Sequence, residues 1–145
     1  MFQPMWSSLD AFVRSGVVAT TTELYEEMCR ITGSFGDCIR SCKTDLIMEV
    51  DNADWDGLTY IREYERMCIE HRQYISEYTH MSSKETISLN DMTIIALAKT
   101  LKLPVVSSES SSGNSPLKRR IPDMCKMENV IHRTFVEFLR DEGLQ

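Results

Sequence analysis

The stretch from Asn90 to Glu109, NDMTIIALAKTLKLPVVSSE, combines a helix pattern with a strand pattern. Asn90 or Asp91 is expected to cap a helix that has apolar residues on nearly all sides: Met92, Ile94, Ile95, Leu97, Ala98 and Leu101. Pro104 ends this unit, and Val105-Val106-Ser107 is typical of a short β-strand. Because a helix that is apolar all round is buried, the stretch predicts a deeply buried helix followed by a short strand.

The rest of the chain continues this alternation of helices and short strands. Helices are predicted over 5–14, 21–31, 35–42, 56–78, 122–128 and 135–142, and strands over 16–20, 105–107 and 130–132. Thr20 and Glu23 have the spacing of a capping box. Short strands separated by helices call for parallel pairing through right-handed crossovers. The predicted fold is therefore α/β, a three-layer α/β/α sandwich with a small parallel sheet, formed by one domain over residues 1–145.

Composition limits the function classes. The chain is 42% apolar and 26% charged with a net charge of -6, which is typical of one soluble globular domain. The acidic balance disfavours a protein that coats nucleic acid by bulk charge. No apolar run reaches the roughly 20 residues of a membrane-spanning helix. Residues 1–6 lack a basic region followed by an apolar stretch, so no secretory signal and a cytoplasmic location are expected.

Several acidic residues fall where a parallel sheet presents its functional crevice, beyond the carboxyl ends of the strands. Glu23 and Glu27 follow the first predicted strand, Asp91 opens the predicted buried helix, and Glu109 follows Ser107 by two residues. Carboxylates gathered at one edge raise each other's pKa unless a hard cation lies between them, and oxygen ligands suit Mg²⁺ or Mn²⁺. The alternative is that Asp91 and Glu23 only cap helices and Glu109 is solvated.

The five cysteines are odd in number and irregularly spaced, and none forms a C-x-x-C pair. They are expected to be reduced, partly buried thiols. His71 lies on the apolar stripe of the predicted helix 56–78, where a satisfied, half-buried histidine is the expectation. A zinc or redox site built on Cys38 and Cys42, with His71 as a further ligand, stays open as an alternative.

The segments 90–99 and 103–109 resemble the C-terminal half of PIN domains. In that family an Asp opens a helix and a strand ends in Thr-x-Asp or Thr-x-Glu, so Ser107 stands at the threonine position. Leu24-Tyr25-Glu26-Glu27-Met28 resembles the helix with the family's internal acidic residue, which points to Glu27, with Glu23 as a substitute. The segment 118–125, KRRIPDMC, is similar to a PIN-like subfamily of uncharacterised prokaryotic proteins.

The resemblance implies a metal-dependent endoribonuclease, often the toxin of a toxin-antitoxin pair. It implies Mg²⁺ or Mn²⁺ as cofactor, single-stranded RNA as substrate, and an antitoxin protein and a second copy of the chain as partners. The implied catalytic residues and metal ligands are Glu27, Asp91 and Glu109, with Ser107 as a hydrogen-bonding group. Lys118, Arg119 and Arg120 would contact the RNA backbone.

The chain departs from the family at its start. The family begins with a hydrophobic strand that ends in an Asp, and Met1 to Trp6 matches what normally follows that strand. The domain is therefore expected to be N-terminally incomplete relative to the family. The alternative function is a catalytically inactive PIN-like binding or regulatory domain that acts through protein or RNA contacts.

Overall fold

The computed structural model describes residues 11, 13, 18–48, 55–76, 86–111 and 119–143, and it is a mixed α/β structure. Ala11 and Val13 are helical. The helices are α1 (Thr22–Met28), α2 (Gly33–Ser41), α3 (Lys43–Leu46), α4 (Gly57–Glu70), a 3-10 turn (Arg72–Tyr74), α5 (Leu89–Leu101), α6 (Ile121–Met127) and α7 (Phe135–Asp141). The strands are β1 (Val105–Ser107) and β2 (His132–Thr134).

The two strands pair in parallel, as the alternating pattern predicted. Val105 lies opposite His132, and Ser107 lies opposite Thr134. Thr20 and Ile47 form a separate parallel bridge, and in the described part of the chain this bridge is all that appears of the predicted strand 16–20. The strand predicted over 130–132 instead begins at His132. The small parallel sheet is therefore observed as one two-stranded ladder with isolated bridges beside it.

Helix α5 lies in the larger core cluster, and the burial that its apolar sequence predicted is confirmed. Met92 and Ile95 of α5 are fully buried against Met67 of α4 and Met124 of α6. A second cluster joins α1, α2 and α3 to Val13, and the rings of Phe135 and Phe138 in α7 pack against it.

Two helix starts differ from the predictions. Ser88 caps α5: its Oγ accepts the N–H of Asp91 at 3.1 Å, and its own N–H donates to Asp91 Oδ2 at 3.3 Å. Asp91 is therefore the third helical residue and not the cap. The Thr20 and Glu23 capping box is wrong, because Thr20 uses its backbone for the bridge and Thr21 caps α1.

The long helix predicted over 56–78 ends at Glu70. Asp56 caps its start, where Oδ1 accepts the N–H of Thr59 at 3.0 Å. A 3-10 turn then leads to Ile75, which is fully buried and bridges Ile87. The apolar spacing thus continued past the helix because Ile75 is buried by a different pairing.

No helix in the described ranges is long and apolar enough to cross a membrane.

Candidate carboxylate site and its surroundings

The predicted acids Glu27 and Asp91 are brought near each other by the contact between α1 and α5. Asn90 Nδ2 donates a hydrogen bond of 2.8 Å to Glu27 Oε1. Because Asn90 directly precedes Asp91, this bond holds the Glu27 side chain beside the first turn of α5. Glu23, the proposed substitute for Glu27, is exposed on the same helix.

Asp91 is a partly buried carboxylate with an unfavourable electrostatic environment. Burial raises its pKa, and the charge of Glu27 raises it further. The two hydrogen bonds with Ser88 oppose this shift without cancelling it. Asp91 therefore takes part in the capping box of α5 as its third helical residue. A nearby cation would stabilise its ionised form.

Glu109 follows β1 and has an incompletely satisfied carboxylate. The backbone N–H of Ile121 donates to it, but Oε2 is buried and has no hydrogen-bond partner among the described residues. Burial raises the pKa of Glu109, and the charge of Asp91 adds to that effect, while Arg120 opposes it. A buried carboxylate oxygen without a donor is costly, so this atom is a place where a bound cation would be favourable.

Four acids act on one another electrostatically, and we call Glu27, Asp91, Glu109 and Asp123 the carboxylate row. The charge of Glu27 raises the pKa of Asp91, and the charges of Asp91 and Asp123 raise the pKa of Glu109. Among the residues that the structure describes, however, their oxygens do not gather within the 4.8 Å spacing of a compact ligand group. Asp123 was not predicted as a site residue, although Pro122 in the first turn of α6 marked the helix start beside it.

Asp123 is held firmly at the end of the row. Its Oδ1 accepts a hydrogen bond of 2.6 Å from Ser111 Oγ, and its Oδ2 accepts the N–H of Arg120 at 2.9 Å. The first bond ties α6 to the loop that carries Glu109. The distance between Glu109 and Asp123 is therefore set by contacts on both sides.

A buried threonine pair fixes α1 against α5. Thr93 Oγ1 donates to the carbonyl oxygen of Asn90 at 2.6 Å and lies 2.8 Å from Thr21 Oγ1, which also accepts the N–H of Leu24. Tyr60 of α4 hydrogen-bonds the same Thr93, and burial raises the pKa of its hydroxyl to about 12. Both threonines are almost fully buried, so this cluster orients the helices that carry Glu27 and Asp91.

Ser107, which was predicted to be a hydrogen-bonding group, makes two side-chain hydrogen bonds. Its Oγ lies 2.7 Å from Nε2 of His132 on the neighbouring strand and accepts the N–H of Glu109 at 3.3 Å. Burial lowers the pKa of His132, although the charge of Glu137 opposes this. Ser107 thus links β2 to the backbone that carries Glu109.

The predicted basic contacts are only partly described. Lys118 lies outside the described residues. The guanidinium of Arg119 lies 4.6 Å from the ring centre of Tyr74, and Arg120 stands directly before α6 and interacts with the charge of Glu109. The basic segment therefore adjoins the carboxylate row at Arg120.

A second acidic group, Glu70, His71 and Glu128, has ligand atoms within 4.8 Å of one another. Its cation positions are taken by the chain's own side chains: Arg66 and Lys99 donate to Glu128 at 2.7 and 2.9 Å, and Arg66 also donates to Glu70 at 2.7 Å.

The pKa of Glu128 shows how strongly those cations act. Burial alone would raise it, but hydrogen bonds from Arg66, His71 and Lys99 lower it to about 2. His71 is buried against Glu128, which agrees with the expected satisfied histidine. It does not gather with Cys38 and Cys42, so these three residues form no metal group.

An apolar cavity of about 440 Å³ lies beside the carboxylate row. Glu27 and Asp91 are in its wall, together with Ala19 near the Thr20 bridge and Val106 of β1. Apolar side chains from α1, α2, α5 and α7 complete the lining. Sequence patterning did not predict this cavity, because it lies between elements that are far apart in the chain.

These features describe a mixed α/β domain that holds partly buried acids beside an apolar cavity. The chain matches, over residues 1–145, the family described as Domain of unknown function (DUF4411), and it belongs to that family. Comparisons with curated proteins and with solved structures find no match.

Proposed function

We propose that this chain is a metal-dependent endoribonuclease of the PIN type, with a PIN-like α/β/α sandwich as its fold. The observation that carries the proposal is Oε2 of Glu109, which is buried, has no hydrogen-bond partner among the described residues and belongs to a carboxylate near Asp91. Burial raises the pKa of both carboxylates. Neither carboxylate forms an ion pair with a Lys or Arg of the described residues. Such an arrangement is unfavourable by itself, and a bound cation would relieve it.

The donor set fits Mg²⁺ or Mn²⁺. Glu27, Asp91 and Glu109 offer only oxygen atoms, which these hard cations prefer. A row of acids is compatible with Mg²⁺, because this ion usually retains several waters and takes only one or two carboxylates directly. When bound, the ion would lower the pKa of a water nucleophile and stabilise charge on a phosphate.

The chain's own residues have separable parts in this proposal. Asn90 holds Glu27 beside Asp91, and Ser107 fixes the backbone that carries Glu109. Arg120, next to Glu109, would bind the phosphate backbone of single-stranded RNA, with Arg119 and Lys118 beside it. The proposal includes two protein partners. One is an antitoxin protein that inhibits the enzyme, and the other is a second copy of the chain, with which it forms a homodimer.

The test is calorimetric titration of Mn²⁺ into the wild type and into Asp91→Asn, Glu27→Gln and Glu26→Gln. Glu26→Gln is the matched control, because Glu26 is exposed and directly precedes Glu27 on α1. Asp91→Asn should weaken binding at least about tenfold, Glu27→Gln should weaken it less, and the control should bind like wild type. The same samples, incubated with labelled single-stranded RNA, should cleave it only with metal present and stop on addition of EDTA.

Two results would contradict the proposal. One is a folded wild type that binds no Mn²⁺, and the other is binding that is equal in wild type and Asp91→Asn. The second candidate, a non-catalytic binding domain, is favoured by the apolar cavity, which a small-ion site does not require.

A further inference from the structure

The apolar cavity is bordered on one side by a backbone edge at Ala19 that no described residue pairs with. Thr20 directs both its backbone groups to the Ile47 side: its N–H donates to Leu46 at 2.8 Å, and its carbonyl accepts from Met48 at 3.2 Å. Consecutive residues of an extended chain direct these groups to opposite sides, so those of Ala19 face the other way. Ala19 lines the cavity, and within the described ranges its backbone groups have no backbone partner.

Strand β1 supplies a second edge of the same kind. The N–H of Val105 donates to Ile131 at 2.9 Å, and the parallel register directs the backbone groups of Val105 and Ser107 to β2. The backbone groups of Val106 therefore face away from β2. Val106 also lines the cavity and is 40% exposed, and no described strand pairs with β1 on this side.

The walls between these edges are apolar, and their charges are unevenly distributed. Ile94 and Leu97 of α5 and Phe135 and Phe138 of α7 contribute to the lining. The acidic side chains in the lining are Glu27, Asp91 and Glu142, and the basic one, Arg133, is paired with Asp141 at 3.2 Å.

We propose that the cavity binds an extended apolar segment of a partner protein, which adds as a parallel strand between Ala19 and Val106. Lone backbone edges, an apolar lining and a volume of about 440 Å³ suit this mode, in which backbone hydrogen bonds give affinity and side-chain pockets give specificity. A parallel direction would continue the pairing of the Thr20–Ile47 bridge and of the β1–β2 ladder, which are both parallel. The carboxylates select a basic residue at the segment's C-terminal end, beside Glu27 and Asp91.

This inference does not depend on phosphodiester hydrolysis. A chain that fails to bind Mn²⁺ can still bind the segment, so the two proposals fail separately. The binding experiment is therefore run in EDTA, where no metal competes with the peptide for the carboxylates.

The probe is a fluorescein-labelled heptapeptide with five alternating Val and Ile residues between two lysines, measured by fluorescence anisotropy against the full chain. Saturable binding is expected, and a peptide with glutamates in place of the lysines should bind several-fold more weakly at low salt. A peptide with alternate backbone nitrogens methylated keeps the side chains but loses N–H donors. It should bind roughly tenfold more weakly or not at all.

Variants of the chain test the edges directly. Val106→Pro removes an N–H that faces the cavity and leaves the hydrogen bonds to β2 in place, and Val106→Ala controls for the lost side chain. Val106→Pro should weaken binding roughly threefold to tenfold relative to Val106→Ala. Ala19→Leu fills the cavity from the other edge and should also weaken binding. Circular dichroism checks that each variant is folded.

Amide hydrogen exchange of the wild type gives a readout that needs no variant. Addition of the lysine peptide should slow exchange at Ala19 and Val106 selectively. The proposal is overturned if the peptide does not bind, if the methylated peptide binds equally well, or if protection appears elsewhere. It is also overturned if sedimentation shows a dimer that already protects both amides, because a second copy then occupies the cavity.

Discussion

Glu128 and Glu109 are both carboxylates withdrawn from water, yet their surroundings have opposite effects. Glu128 accepts hydrogen bonds from Arg66, His71 and Lys99, and its pKa falls to about 2. Glu109 has a backbone donor and one oxygen without a partner in the described part of the chain, and its pKa rises because burial and the charge of Asp91 disfavour its ionised form. The comparison separates an acid that Arg and Lys side chains of the chain neutralise from an acid that forms no ion pair with the described residues.

The largest effect is expected from Glu128→Gln. This change removes the charge that Arg66 and Lys99 contact and should destabilise the chain by about 2–3 kcal/mol, less than a fully buried pair because both cations are partly exposed. Glu70→Gln is the matched control, since Glu70 is more exposed and loses one bond. Urea unfolding at neutral pH measures both. Equal free energies of unfolding for the two variants would show that Glu128 stabilises the fold no more than the more exposed Glu70 does.

Acid titration distinguishes the two kinds of carboxylate. The folded-state pKa of Glu128 is below its ordinary 4.5, so its stabilisation is present above about 4.5 and is lost as pH falls toward about 2. The pKa values of Asp91 and Glu109 are raised, so these groups disfavour the fold at neutral pH, and their penalty disappears as pH falls and they protonate.

Metal should offset the penalty at the carboxylate row. Mn²⁺ at ten times its Kd should stabilise the wild type by about 1.4 kcal/mol at pH 7, and this gain should vanish as protons displace the ion at acid pH. Asp91→Asn should lose most of the gain, because its binding is at least about tenfold weaker, whereas Glu128→Gln should keep it. Thermal unfolding with and without Mn²⁺ measures the difference. A gain that persists in Asp91→Asn would assign the ion to another site.

A smaller effect is expected from the threonine pair that orients α1 and α5. Thr93→Val retains the shape but removes hydrogen bonds to Asn90 and Thr21, and it should cost about 1 kcal/mol and weaken Mn²⁺ binding. Thr93→Ser keeps the hydroxyl and should restore most of the affinity. If Thr93→Val binds Mn²⁺ like wild type, the pair stabilises the fold without positioning the acids.

The smallest effect is expected at Ser107. Ser107→Ala leaves His132 Nε2 without this partner and releases the N–H of Glu109, at a cost of about 0.5 kcal/mol in stability. NMR titration should show a changed pKa of His132 in the variant. An unchanged His132 titration would mean that the contact with Ser107 has no electrostatic importance.

Much of the local structure followed from the sequence. The apolar run of α5, Pro104 and the β-branched pair Val105-Val106 predicted a buried helix and a strand, and both are observed. A helix was predicted over 135–142, and α7 is observed over Phe135–Asp141, where Thr134 Oγ1 accepts the N–H of Glu137. These predictions worked because periodicity, caps and helix stops act over a few residues.

The errors arose where a distant contact decided the outcome. The predicted cap of α1 was wrong because Thr20 pairs with Ile47, leaving Thr21 to cap the helix. The predicted length of α4 was wrong because Ile75 is buried by a bridge to Ile87 rather than by helix packing. Asp123 was missed as a neighbour of Glu109, since nothing in the local pattern brings α6 to the end of β1.

The sequence by itself determined the α/β alternation, the buried helix α5 and the order in which the acids occur along the chain, because these depend on short-range spacing. The tertiary structure alone decided which acids are neutralised. The cations that neutralise Glu128 are distant in sequence, since α4 and α5 bring Arg66 and Lys99 to it. Glu109 instead lies near Asp91, which is also distant in sequence. Electrostatic environment depends on distances in space, and packing sets those distances.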